Sequence, residues 1–345
     1  MSFSGAEFLP AAAVERLTEI RVEDPGRPLR AAKDRKRRNR VAPDGKLNIL
    51  AADHPARRVT NIGAQALAMA NRRDFLARIV RVLISDFVDG VMATMDVLED
   101  LLVLHDFMRE AGGAAFLDDK LLIASLNRSG LAQSAWEMDD AVTGATPAAC
   151  AEWKLDGGKF LLRIADDDPG SLKTMLAAAA AINELNALHL PMFLEPLPVV
   201  KGETGYKVVK TAEALAKIAG VASALGDSSR YLWLKLPYCA GYETVARATT
   251  LPILLLGGES AGDPRPFLTE VASGLAAGAN VRGALVGRNV IYPGDEDPLV
   301  AAEAVGGIVH RGWSVEQALE AAGKSRGRDM DWLARTGALA AEFRK

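Results

Sequence analysis

Lys235 is the residue with the clearest chemical potential. It sits in Tyr231-Leu232-Trp233-Leu234-Lys235-Leu236-Pro237-Tyr238, a short apolar run of strand formers. Side chains alternate along a strand, so Leu232, Leu234 and Leu236 share one face and Tyr231, Trp233 and Lys235 share the other. An ammonium there must be paired, solvated at an opening, or functional, because burying an unpaired charge is costly. Desolvation also lowers a lysine's pKa and leaves some free amine near neutral pH. Free amine is what imine formation with a carbonyl requires. On this stretch alone, a lysine ending a strand in an ion pair is the plainer reading.

Other polar residues stand at the ends of apolar runs. Asp53, in Asp53-His54-Pro55, can act as a general acid or base, can position a lysine, or can cap a turn. His54 beside it is a weaker candidate. Lys159 and Arg163 share parity within one apolar run. Lys159 begins that run and is expected towards the closed end. Arg163 is nearer the opening, where it could bind a carboxylate or phosphate, or pair with Glu195 or Asp53. Glu195, in Phe193-Leu194-Glu195-Pro196, shares parity with Phe193 and is the natural partner for a lysine on the next strand. Gly257-Gly258 and Gly287-Arg288-Asn289 close two late runs. Glycine lets backbone N–H groups approach a phosphate, and arginine adds a charge-assisted clamp.

The elements that position these residues follow from periodicity. Strand patterns at 47–52, 90–95, 121–126, 159–165, 191–199, 231–238, 252–256 and 283–286 alternate with helical patterns at 75–84, 97–110, 171–188, 208–225, 243–248, 265–277 and 298–310. Such alternation implies a parallel sheet, and this many units over about 270 residues is the size of a closed (β/α)8 TIM barrel. No GxGxxG opens the first unit, which disfavours a doubly wound sheet. The third unit is irregular, with turn residues and Trp136 between Arg128 and Asp156 and no strong helical pattern. The expected organisation is an N-terminal helical extension over 1–46, a barrel over 47–322, and a helical tail over 323–345. In a barrel of this kind the active site lies at the C-terminal ends of the strands, where the polar residues above fall.

Composition narrows the partners. The chain has 345 residues, 49% hydrophobic and 25% charged, with a formal net charge of -3. That balance gives no general attraction to nucleic acid or acidic membranes. The basic run Lys33-Asp34-Arg35-Lys36-Arg37-Arg38-Asn39-Arg40 lacks aromatic stacking residues and is expected to be a solvated helix face. Cys150 and Cys239 match no metal spacing and fit a reduced, cytoplasmic setting. The start lacks a signal-peptide pattern, and no apolar stretch is long enough to span a bilayer. With four histidines, of which His105, His189 and His310 fall on helices or helix ends, a metal-dependent barrel enzyme is disfavoured.

These motifs together resemble the class I aldolases of the DeoC/fructose-bisphosphate aldolase type, from about residue 47 to 319. The residues that carry the resemblance are Asp53-His54-Pro55, Leu194-Glu195-Pro196-Leu197-Pro198, Lys235, Leu255-Leu256-Gly257-Gly258 and Gly287-Arg288-Asn289-Val290. The pattern is most similar to the branch found with actinobacterial myo-inositol catabolism genes. The resemblance implies a Schiff-base lysine at Lys235, proton transfer assisted by Asp53, and substrate phosphate at Gly257, Gly258, Gly287 and Arg288. It implies no metal and no cofactor, a small sugar-phosphate substrate, and a homo-oligomer, which the apolar helices around Ala177 and Ala301 would permit. One departure stands. Archaeal-type fructose-bisphosphate aldolases carry a tyrosine acid on strand five, where this chain has Leu194-Glu195-Pro196. Glu195 and Tyr238 are the alternatives for the proton relay. The rival readings are an aldolase or transaldolase for another sugar phosphate, and a sugar-phosphate-binding regulator that contacts nucleic acid through the basic run.

Overall fold

The run Leu47–Ala52 is buried along its whole length, as a parallel strand enclosed by helices must be. It is the first of nine strands in a computed structural model that describes residues 3–128, 130–260 and 262–331. The strands are β1 (Leu47–Ala52), β2 (Gly90–Ala93), β3 (Leu121–Ser125), β4 (Gly157–Ile164), β5 (Met192–Gly202), β6 (Gly205–Val208), β7 (Leu232–Pro237), β8 (Ile253–Leu256) and β9 (Val281–Val286). Eight of them, all but β6, pair in parallel, and the β4–β5 and β1–β9 pairings close the ring. The fold is a TIM barrel, as the alternation of patterns implied.

Parity sorts each strand between two apolar layers. Leu47, Ile49, Ala51, Ile123, Phe193, Leu254 and Leu285 fill the interior, with Trp233 packed against them. Leu232, Leu234 and Leu236 belong to the larger layer between barrel and helices. Lys235 therefore faces inward with Trp233, on the face that alternation gave it.

Three departures from the sequence pattern bear on the site. First, β5 runs past residue 199 and folds back as an antiparallel hairpin with β6. Its helix therefore begins at Ala212 rather than 208, after a Thr211 cap that accepts from the Ala214 N–H. Second, the third unit has only a short helix, Pro147–Glu152, behind a long loop. Third, the helix around Ala301 (Pro298–Arg311) is buried within this chain, with Ala301 at 2% exposure. Of the two helices expected to offer an oligomer surface, only Gly170–Ala187 shows apolar side chains to solvent, at Leu172 and Leu176.

Helices Gly5–Phe8, Ala11–Glu23 and Arg27–Asp34 precede the barrel. The basic run is a solvated face only in part: Lys33, Lys36, Arg37 and Arg40 are exposed, but Arg35 is buried and Arg38 half-buried. Arg35 and Arg37 donate to Asp156, Arg38 to Asp89 and Lys36 to Asp119. The run thus staples the extension across the N-terminal end of the barrel. Arg35 and Asp156 are both buried and 2.5 Å apart. Arg35→Ala removes this buried charge-assisted hydrogen bond while Arg37 still pairs Asp156, so it is expected to cost on the order of 2 kcal/mol in denaturant unfolding. A loss below about 1 kcal/mol would mean the site relaxes or fills with water.

His310 ties the same end together. Its Nδ1 lies 2.8 Å from Asp44 and its Nε2 3.0 Å from Asp89. Burial disfavours charge on this ring, but Asp89 and Asp44 outweigh it and raise its pKa. A raised histidine pKa stabilises the fold fully below its unfolded value, near 6.5, and that contribution is lost as pH rises through the folded value. The Tm difference between the wild type and His310→Asn should therefore be largest near pH 5–6 and shrink towards pH 9. A pH-independent difference would rule out the charged ring.

The last described helix ends at Gly323, and residues 324–331 form successive turns. The expected helical tail with Trp332 lies, from 332 on, outside the described residues. Among the described residues, no helix is long and apolar enough to cross a membrane.

Candidate active site

Five inward side chains, from β3, β4, β5, β7 and the residue after β1, converge at one level inside the barrel. Lys235 Nζ lies 2.9 Å from Glu195 Oε2. Lys159 Nζ lies 3.0 Å from the same oxygen and 3.0 Å from Asp53 Oδ2. Ser125 donates to Asp53 Oδ2 at 3.2 Å. Below this cluster the interior is closed by the apolar layer, so all five side chains are buried.

Lys159 is not at the closed end, where its place at the start of its run had put it. Strands in a closed barrel are staggered by its shear. Ser125, the last residue of β3, pairs with Lys159, the third residue of β4. The beginning of β4 is therefore level with the end of β3. Sequence position along one strand says nothing of this offset, although the parity that turned Lys159 inward was visible.

The two lysines are driven in opposite directions. Burial opposes charge on Lys159, but Asp53 and Glu195 outweigh it and its pKa is raised. Burial dominates at Lys235, the nearby Lys159 charge adds to it, and its pKa is lowered despite Glu195. Burial would push both carboxyls up, but the cations prevail. Lys159, Lys235 and Arg57 hold Glu195 down at about 2, and Lys159 leads the groups that keep Asp53 well below the usual carboxylate range. The arrangement is an ammonium fixed between two carboxylates, beside a second lysine that gives up its proton more easily. A low-pKa amine next to a proton-holding group is what imine formation and breakdown need.

His54 is buried, and burial takes its pKa down to about 3, so the ring is neutral. It lies against Gly287, where a Cβ would come within 2.4 Å of His54 Cε1 and 2.7 Å of the Ala51 carbonyl oxygen. Gly287 therefore gives room for the ring that bridges the ends of β1 and β9. Gly257 has a similar role, since a Cβ there would meet Asn289 Nδ2 at 2.9 Å.

The remaining candidates lie around the mouth. Arg163 is at the opening, but its partner is neither Glu195 nor Asp53. Its guanidinium donates to both the carboxylate and the carbonyl oxygen of Glu137, from the irregular third loop. Arg288 and Arg163 border a cavity of about 470 Å³ together with Arg57 and Arg58. Gly258 and Tyr238 border a smaller one of about 200 Å³ with Lys210. The Tyr238 ring rests near that of Tyr242, with centroids 5.6 Å apart. Arg57 had no signal in the sequence beyond its place four residues after Asp53. Among the described residues, no group of three or more His, Cys, Asp or Glu side chains is arranged to hold a metal ion.

The comparisons with known proteins agree with this architecture. The fold is similar to the crystal structure of Cgl0159 from Corynebacterium glutamicum (Brevibacterium flavum), with a TM-score of 0.82 and 35% identity over 88% of this chain and 99% of that one. It is similar to an archaeal fructose 1,6-bisphosphate aldolase, with a TM-score of 0.53 and 20% identity over 77% and 94% of the two chains. It is also similar to a fructose-bisphosphate aldolase from Slackia heliotrinireducens, with a TM-score of 0.59 and 13% identity over 95% and 97%. At those identities the two aldolases speak for the barrel fold. Among curated proteins, 2-amino-3,7-dideoxy-D-threo-hept-6-ulosonate synthase 1 of Archaeoglobus fulgidus is 34% identical over 87 residues. The match spans 25% of this chain and 32% of that protein, about a third of the relative's length. A family model described as Cgl0159-like matches residues 45–306, which hold all of the strands and every candidate residue above. The chain belongs to the Cgl0159-like family.

Proposed function

We propose that this protein is a metal-independent class I aldolase whose Schiff base forms at Lys235. The observation that carries the reading is the pair of inward lysines sharing Glu195, with Lys235 pushed towards the free amine and Lys159 held as the ammonium. The Lys235 amine adds to a ketone carbonyl, and loss of water from the carbinolamine leaves an iminium. A carboxylate takes the proton from the hydroxyl on the carbon β to that iminium. The bond between the α and β carbons breaks, its electron pair flows into the iminium to give an enamine, and an aldehyde leaves. Protonation of the enamine carbon and hydrolysis then release the second product and the lysine. Asp53 and Glu195 are the carboxylates in reach, and Lys159 is the proton donor beside them. Tyr238, at the rim, is left as the alternative relay.

For the substrate, a phosphorylated keto sugar acid suits the basic mouth. The resemblance to the inositol-catabolism branch favours 5-dehydro-2-deoxygluconate 6-phosphate, cleaved to dihydroxyacetone phosphate and malonate semialdehyde. The test is to incubate the protein with dihydroxyacetone phosphate, add borohydride, and map the reduced adduct by peptide mass spectrometry. An adduct on the Lys235 peptide is expected. No adduct with this ketone or with a panel of phosphorylated keto acids, on folded protein, would sink the Schiff-base reading.

A further inference from the structure

We propose that Arg57, in the turn after β1, completes with Arg288 a site for a phosphoryl dianion at the barrel mouth. The proposal deepens the aldolase reading, because it names the residue that would hold the substrate's phosphate. The anion site itself does not depend on that reading.

The 470 Å³ cavity at the mouth is lined by four guanidinium groups, Arg57, Arg58, Arg163 and Arg288, and two carboxylates, Glu137 and Glu259. Glu137 is already engaged by Arg163. Glu259 is 81% exposed and reaches Arg288 only at 3.5 Å. Arg57 and Arg58 have no carboxylate partner of their own in this lining, although the Arg57 charge also acts on Glu195 and Asp53. The Nε of Arg57 and the Nε of Arg288 are both buried and have no hydrogen-bond partner among the described residues. Buried unsatisfied donors are costly, and doubly so on cations. Arg57 and Arg288 line the same cavity, and the Arg57 charge helps to lower the Arg288 pKa after burial. An anion between them supplies the missing acceptors. A phosphoryl group matches guanidinium donors well in charge and geometry.

Arg57 is placed for this by its backbone. Residues His54–Arg57 form a single tight helical turn, closed by Arg58 in the left-handed conformation at φ 64. The Arg57 carbonyl oxygen accepts from the Ala132 N–H of the third loop at 3.3 Å. The side chain therefore starts from a backbone tied on both sides and loses little freedom on binding.

The smaller cavity, beside Gly258, is a poorer place for a dianion. It is bordered by one ammonium, Lys210, and three carboxylates, Glu259, Asp263 and Glu270. The glycines after β8 were expected to hold the phosphate with Arg288. The proposal puts it on the Arg57 side of Arg288, because the cavity beside Gly258 is the more acidic of the two.

The experiment uses the full chain, as wild type and as Arg57→Gln. Thermal unfolding is followed against inorganic phosphate, and borohydride trapping is followed against dihydroxyacetone phosphate and against dihydroxyacetone. Phosphate should raise the wild-type Tm, and Arg57→Gln should need roughly 10- to 100-fold more phosphate for the same rise. The half-saturating dihydroxyacetone phosphate for trapping should rise by a similar factor, and by roughly fivefold or more beyond that for dihydroxyacetone, which reports any effect of the lost charge on Glu195. Equal losses with both ketones, an unchanged phosphate response, or no phosphate response in the wild type would overturn the proposal. If neither ketone is trapped in the wild type, the aldolase reading passes to the panel of phosphorylated keto acids and the phosphate titration alone decides the site.

Discussion

Lys235→Ala should remove the borohydride-trapped adduct and lower carbon–carbon cleavage by more than about a thousandfold, because the covalent route is lost with the nucleophile. Folding should survive the change. Glu195 keeps Lys159 at 3.0 Å, so no buried carboxylate is left without a cation. The expected result is therefore an inactive protein with a near-native Tm. The informative failure is an adduct that persists in Lys235→Ala and maps to Lys159. That would exchange the roles of the two lysines and mean that the charge on Lys159 is not held by Asp53 and Glu195 in solution. A protein that loses activity only because it unfolds would show a collapsed Tm, so the two measurements belong together.

Lys159→Met should shift the pH dependence of the reaction as well as its rate. Burial and the Lys159 charge both lower the Lys235 pKa, whereas Glu195 raises it. Without Lys159 the like charge is gone and Glu195 pairs with Lys235 alone, so the Lys235 pKa rises. The free amine is the reactive form, so the acid limb of kcat/KM should move to higher pH. At pH 7 the rate should fall by about a hundredfold or more, since the proton donor is lost along with part of the free amine. Trapping at Lys235 should recover as the pH is raised towards 9–10. A merely structural role for Lys159 would lower the rate evenly across pH and leave the limb where it is. The variant also leaves Asp53 with only its Ser125 hydrogen bond among the contacts that cluster made, so some loss of Tm is expected.

Both outcomes depend on features that were legible in the sequence to different degrees. Alternation in Tyr231-Leu232-Trp233-Leu234-Lys235 was enough to turn the lysine away from the leucine face, because a strand's side-chain period is two whatever surrounds it. The same rule put Glu195 with Phe193, and the strand–helix alternation implied the barrel and hence the end at which Asp53, Glu195 and Lys235 meet. Local physics also set most element boundaries. Pro298 opens its helix at the first turn behind an Asp297 cap, and Ser314 with Gln317 forms a capping box.

What the sequence could not determine is whatever depends on the offset or contact between distant segments. Lys159 reads as a strand-start residue, and only the shear of the closed barrel brings it level with Ser125 and into reach of Asp53 and Glu195. Arg163 has the right parity for the mouth, but its partner Glu137 comes from a loop without a periodic pattern. The pairing of the basic run was hidden because its acceptors, Asp89, Asp119 and Asp156, lie 51 to 121 residues away in the chain. Arg57 carries no motif, and only the folded turn after β1 brings it beside Arg288. Periodicity is a property of one segment, and the sequence by itself determined which way each side chain faces. Register and charge pairing are properties of two segments, and only the tertiary structure decided which groups share a site.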